Sequence, residues 1–148
     1  MKYCLKKIKY DEKELFYNIA LKYFSEIIYN FTPTDEFYTH YFNSILSKKN
    51  LYLYWLIYND KIIGFSLIGK EKHRFLPKQI GKIYEFYILP EYRNKGHASY
   101  FANMLINKIK KLNVQKIELE IIINNTKAKH FWEKNGFEMI SYRYLYKK

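Results

Sequence analysis

The stretch from residue 83 to residue 137 constrains the fold of this chain more than any other. It reads as a β-rich run ending at Leu89, then a basic turn, Pro90-Glu91-Tyr92-Arg93-Asn94-Lys95-Gly96-His97-Ala98, and then a helix to about Leu112. A second β-rich run follows over Lys116 to Ile123, and Asn124-Asn125 start a short helix containing Ala128, Phe131 and Trp132. On the first helix Ala98, Phe101, Ala102, Leu105, Ile109 and Leu112 recur at helical spacing and define one apolar face. Asn is a favoured N-cap and Gly the favoured residue just past a helix C-terminus, so Asn125 and Asn135-Gly136 bound the second helix.

The preceding half supplies further strands and helices. Tyr3 to Ile8 reads as a first strand, and Asp11-Glu12 place acidic residues at the start of a helix whose Leu15, Ile19, Phe24 and Ile27 are expected to face the core. Asn30 to Thr34, with Pro33, breaks that pattern, and Thr34 can cap a second helix from Asp35 to about Leu46. Two β-rich runs, Leu51 to Ile57 and Ile62 to Ile68, flank Asn59-Asp60-Lys61 and predict an antiparallel hairpin. Gly69 to Gln79, with Lys70, Lys72, Arg74, Pro77 and Lys78, reads as a loop where a substrate can be met, and it leads into a long strand, Ile80 to Leu89. No repeat, linker or low-complexity tract divides the 148 residues, so residues 1–148 are expected to form one domain.

Composition narrows the classes. The single cysteine, Cys4, has no partner, and the four histidines lack metal-ligand spacing, so neither a disulfide nor a zinc site is expected and a reduced, cytoplasmic compartment is. No signal-peptide run opens the chain and no stretch approaches the roughly 20 apolar residues of a membrane span, so no membrane partner is expected. The net charge of +12 favours phosphate-bearing molecules, whether nucleic acid, anionic membrane or nucleotide cofactor. An AT-rich coding sequence would produce the same abundance of Lys, Ile, Asn and Tyr. The charge weighs mildly against a polycationic substrate such as a polyamine.

The basic turn carries the chemistry. A turn that ends at a helix N-terminus presents free backbone N–H groups and the positive end of the helix dipole, which together suit a phosphate. Arg93 and Lys95 add charge, Gly96 allows close backbone approach, and Ala98 keeps the helix start slim. Taken alone, such a turn is weak evidence, since a solvated basic loop before an ordinary helix has the same residues.

Its spacing to the second motif is more specific. The pattern Pro-x-x-Arg-x-x-Gly-x-Gly/Ala, followed by Asn-x-x-Ala-x-x-Phe-Tyr-x-x-x-Gly-Phe, is nearly reproduced from Pro90 to Ala98 and from Asn125 to Phe137. In this the chain resembles the GNAT superfamily of N-acetyltransferases, closely over its C-terminal part and elsewhere in the order of elements. The resemblance implies a mixed α/β (α+β) GNAT fold. Its features would be a single, mostly antiparallel sheet of six to seven strands, a splayed parallel pair and helices on both faces. It implies acetyl-CoA as co-substrate, no metal, and transfer to a primary amine by direct attack in a ternary complex.

By the same resemblance the pyrophosphate rests on the turn formed by Arg93, Asn94, Lys95, Gly96, His97, Ala98 and Ser99, with His97 contributing its backbone. Phe86, Tyr87 and Ile88 line the pantetheine arm, the N–H of Ile88 polarises the thioester carbonyl, and Asn125, Phe131 and Trp132 lie against the cofactor. Glu85 is the first candidate for general base, with a solvated or salt-bridged strand carboxylate as the alternative, and Glu120 is the second. Trp132 stands where the family has a tyrosine acid, and an indole cannot protonate a thiolate. Tyr144 or Tyr142 on an expected last strand, or solvent, is left for that step, although with 17 tyrosines in the chain packing explains most of them. His130 reads as a surface residue.

Only Glu138 to Lys148 follow, room for one strand whose edge can pair in a homodimer or be guarded by Arg143, Lys147 and Lys148, so a monomer and a homodimer are both open. Protein lysine, a protein N-terminus, an amino sugar and a small metabolite all remain open as acceptor. Two other readings stay beside the enzyme: a non-catalytic acetyl-CoA sensor, and a basic nucleic-acid-binding module without a recognised motif.

Overall fold

Asn59 and Asp60 take φ of 46° and 63°, the left-handed backbone of a two-residue hairpin turn. They join β2 (Leu51–Tyr58) to β3 (Lys61–Glu71), the antiparallel centre of a five-stranded sheet. The computed structural model describes residues 1–27 and 32–148. Strand β1 (Tyr3–Lys7) pairs with β2, β4 (Ile80–Ile88) pairs antiparallel with β3, and β5 (Ile117–Leu119) pairs with β4 in parallel. Among the described residues α1 (Lys13–Ile27) and α2 (Asp35–Ser47) lie between β1 and β2, α3 (His97–Lys110) lies between β4 and β5, and α4 (Thr126–Lys134) follows β5.

Alternation along the strands sorts the core into two layers. Phe16, Ile19, Ala20 and Phe24 of α1 and Tyr38, Phe42 and Ile45 of α2 pack with Trp55, Phe65 and Tyr87 on one face of the sheet. Ala102, Leu105 and Ile109 of α3 and Trp132 of α4 pack with Tyr54, Ile68 and Ile83 on the other. Trp55, Phe16, Phe42 and Phe65 are fully buried, each contributing about 1.5–3 kcal/mol. Gly81 brings β4 against α3, since a Cβ there would strike the Ile109 side chain. Thr34 caps α2 as expected, its hydroxyl accepting from the Phe37 N–H at 3.1 Å.

Several expectations shift. Leu15 is 42% exposed, because the buried stripe of α1 runs through Phe16, Ile19, Ala20, Tyr23 and Phe24 and leaves position 15 about 100° off it. Asp11 and Glu12 form a 3-10 turn with Tyr10 ahead of α1, where the Glu12 carboxylate accepts from the Lys9 N–H at 2.8 Å. Strand β3 runs on to Glu71, so the connecting loop starts at Lys72, at the end of β4 remote from the basic turn. Residues 30 and 31 of the expected break lie outside the described residues. Among the described residues the sheet has five strands rather than six to seven, because residues 138–148 form no regular element, and β5 is three residues long instead of Lys116 to Ile123. Among the described residues no helix is long and apolar enough to cross a membrane.

Candidate active site

The short β5 and a bulge in β4 together open a fork. Glu85 stands opposite Leu67 and Ile83 opposite Ile68, leaving Tyr84 as an extra residue on β4. Strand β5 pairs with β4 only from Gly81↔Ile117 to Ile83↔Leu119. Past the bulge, among the described residues, no strand pairs with 84–88 on that side. The Leu89 N–H donates to the Ile63 carbonyl of β3 at 2.8 Å, so ladder alternation turns the N–H and C=O of Ile88 the other way, into the fork. Side chains leave the fork to backbone: Phe86 packs against Phe131 at 5.7 Å and Trp132 at 5.2 Å on the α3/α4 side, while Tyr87 packs on the α1 side.

The chain then turns through Pro90–Tyr92 into the start of α3. Asn94 has φ 59° and Gly96, the N-cap of α3, has φ 83°. The left-handed residues curl the turn so that successive N–H groups can converge. No side chain caps this helix, and the first-turn N–H groups of His97, Ala98 and Ser99 have no intrahelical partner. The imidazole of His97 is turned inward, its Nδ1 3.0 Å from the Tyr3 hydroxyl and its ring 4.3 Å from that of Tyr58, so His97 offers this site its backbone alone. Lys95 Nζ donates to the Glu91 carbonyl at 2.7 Å. Arg93 donates from Nε to the Ile88 carbonyl at 2.8 Å and from Nη2 to both Glu26 carboxylate oxygens at 3.0 and 2.9 Å.

The two candidate bases, Glu85 and Glu120, sit in different surroundings. Glu85 shares a sheet face with Leu67 and the α1/α2 layer, and burial raises its pKa from 4.5 to about 7. Its main-chain carbonyl accepts from the buried Ser66 hydroxyl at 2.7 Å, which fixes the strand there. Glu120 is 62% exposed and bound to Arg143 at 2.9 Å. Burial, and then the hydrogen bond it donates to Glu26 at 3.0 Å, push the Tyr87 hydroxyl up to about 12.

Asn125 is the N-cap of α4, accepting from the Ala128 N–H at 3.1 Å. Trp132 is buried among Phe86, Phe131 and Phe137, a core position. Tyr144 is 88% exposed and Tyr142 is also exposed, both in the irregular terminal segment. Among the described residues no group of three or more His, Cys, Asp or Glu is placed to hold a metal.

Sequence reasoning missed Glu26, which anchors Arg93 from 67 residues away, and the buried Lys82, which lies 3.9 to 4.0 Å from Glu71, Glu118 and Glu120. Neither follows a local spacing. For Glu26 the available signal was an acidic residue in the last turn of a helix, where the helix dipole disfavours negative charge.

The chain as a whole is similar to known proteins. A model described as the acetyltransferase (GNAT) family matches residues 13–137. The N-acetyltransferase YycN of Bacillus subtilis (strain 168), itself uncharacterized, is 30% identical over 94 residues, 63% of this chain and 59% of its own length. N-alpha-acetyltransferase 30 of Schizosaccharomyces pombe is 32% identical over 89 residues, 60% of this chain and 57% of its own. The match thus spans less than two thirds of either relative. The crystal structure of a ribosomal-protein-alanine N-acetyltransferase from Brucella melitensis biovar Abortus 2308 superposes with a TM-score of 0.79 at 14% identity, covering all of both chains. At that identity the likeness is one of fold.

Proposed function

Because the chain belongs to the acetyltransferase (GNAT) family, we propose that it moves an acetyl group from acetyl-CoA to a primary amine, with both substrates bound together. The observation that carries this reading is the succession of a strand edge, 84–88, that no strand covers on the fork side and an uncapped helix that starts at His97, nine residues past Ile88. The edge suits an extended amide-bearing arm, which can hydrogen-bond as a strand does, and the helix start suits a diphosphate. When bound, acetyl-CoA supplies an activated acyl thioester.

The residues of this chain then divide the work. N–H groups over Asn94 to Ser99 hold the diphosphate, and the Ile88 N–H, aimed into the fork, donates to the thioester oxygen as charge develops there. Glu85, with its pKa near 7, takes a proton from the incoming ammonium or amine, directly or through one water. The amine nitrogen bonds to the acyl carbon as the carbon–sulfur bond breaks. The departing thiolate takes its proton from solvent, since Trp132 is no acid and Tyr144 is exposed.

Calorimetry and a thermal shift test this. Coenzyme A at about 100 times its Kd should stabilise the fold by about 2.7 kcal/mol, and a panel of amines should release thiol from acetyl-CoA. Folded protein that gives no heat with millimolar coenzyme A would sink the proposal. Binding without thiol release from any amine would instead favour an acetyl-CoA sensor.

A further inference from the structure

Arg93 sits in the basic turn, yet its guanidinium does not point outward as a phosphate ligand would. Nε is spent on the Ile88 carbonyl and Nη2 on the Glu26 carboxylate, and the guanidinium carbon lies 5.3 Å from the centre of the Tyr87 ring. The Tyr87 hydroxyl donates to the same carboxylate at 3.0 Å. The last turn of α1, the end of β4 and the turn before α3 are therefore tied at one guanidinium.

The consequence falls on Ile88. Its N–H and C=O both point into the fork, a donor and an acceptor side by side. A bare carbonyl there would oppose negative charge growing on a neighbouring thioester oxygen, and would itself draw water. With Arg93 bonded to that carbonyl, the strand end presents its donor alone. Resting on the acetyl-transfer reading, we propose that Arg93 and Glu26 are positioning residues for the reaction, masking the Ile88 carbonyl so that its N–H can act unopposed, and that the diphosphate is held by backbone without the Arg93 side chain.

The magnitudes agree with a role in orientation rather than in stability. Arg93 and Glu26 are 38% and 41% exposed, and an ion pair so open to water adds little to stability. Glu26→Gln should accordingly fold. Arg93→Lys keeps a positive charge at the turn but cannot reach Ile88 and Glu26 with a planar fork.

The test measures kcat by thiol release and coenzyme A affinity by calorimetry for wild type, Glu26→Gln, Arg93→Lys and the double variant. Each single change should lower kcat by about ten- to a hundredfold while the Kd for coenzyme A stays within about threefold, and the double variant should be no worse than Arg93→Lys. Three results would overturn the proposal: unchanged kcat in either single variant, weakened coenzyme A binding with kcat intact in Arg93→Lys, or additive losses in the double variant. Absence of coenzyme A binding by the wild type would strike the acetyl-transfer reading instead, so the two failures are told apart.

Discussion

Glu85 stands opposite Leu67 one residue past the bulge at Tyr84, so its carboxyl joins the α1/α2 side of the sheet while Phe86 beside it faces α3 and α4. Burial there raises its pKa from 4.5 to about 7. The activity of a base with that pKa rises with pH through a midpoint near 7. Glu85→Gln should abolish this limb and lower kcat by about a hundredfold. An unchanged profile of rate against pH would remove Glu85 as the base.

The same shift makes a prediction about folding. The native state holds the Glu85 proton more tightly than the unfolded chain, so stability is lost as pH climbs from about 4.5 through about 7. Glu85→Gln has no such loss. Its melting temperature relative to wild type should therefore rise between pH 5 and pH 8, and a difference that stays flat over that range would contradict the assignment.

Gly96 has open space where a Cβ would sit, but its φ is 83°. Gly96→Ala should therefore cost about 1–2 kcal/mol through backbone strain rather than through a clash. Urea unfolding measures it. If the turn holds the diphosphate, coenzyme A affinity falls as well, and an Ala variant of native stability would mean that the left-handed geometry is not needed.

Asn125 separates a cap from a ligand contact. Asn125→Ala should lose about 1 kcal/mol of stability and Asn125→Ser only a small part of that, because serine also caps. Should both variants weaken coenzyme A binding to the same degree, the amide reaches the cofactor as well as the helix.

Tyr144 lies 88% exposed at a segment without regular structure. With solvent protonating the thiolate, Tyr144→Phe should keep kcat within about twofold of wild type. A tenfold loss or more would make this hydroxyl the acid.

Local rules made much of this molecule readable. Asn59-Asp60 foretold the hairpin because few residues accept positive φ at both central positions, Thr34 and Asn125 foretold helix starts, and the spacing from Pro90 to Phe137 foretold the order of the site's elements. What escaped was set by tertiary geometry. The β-rich run from Lys116 to Ile123 looks like a strand by composition, yet pairing ends at Leu119 because β4 diverges at Tyr84. Leu15 is as apolar as Phe16, and only packing against Trp55 and Phe65 decides which faces inward. Arg93 advertised a charge for the ligand, but its partner lay in α1, 67 residues away.

The bulge at Tyr84 shifts the register of β4 against β3, so the fork is shaped by main chain. A receptor drawn from peptide groups is indifferent to most substitutions along it, so the sequence on either side is free to drift while the grip persists. Insertions and deletions are another matter: removing one residue between Ile83 and Glu85 would let the two parallel strands zip closed.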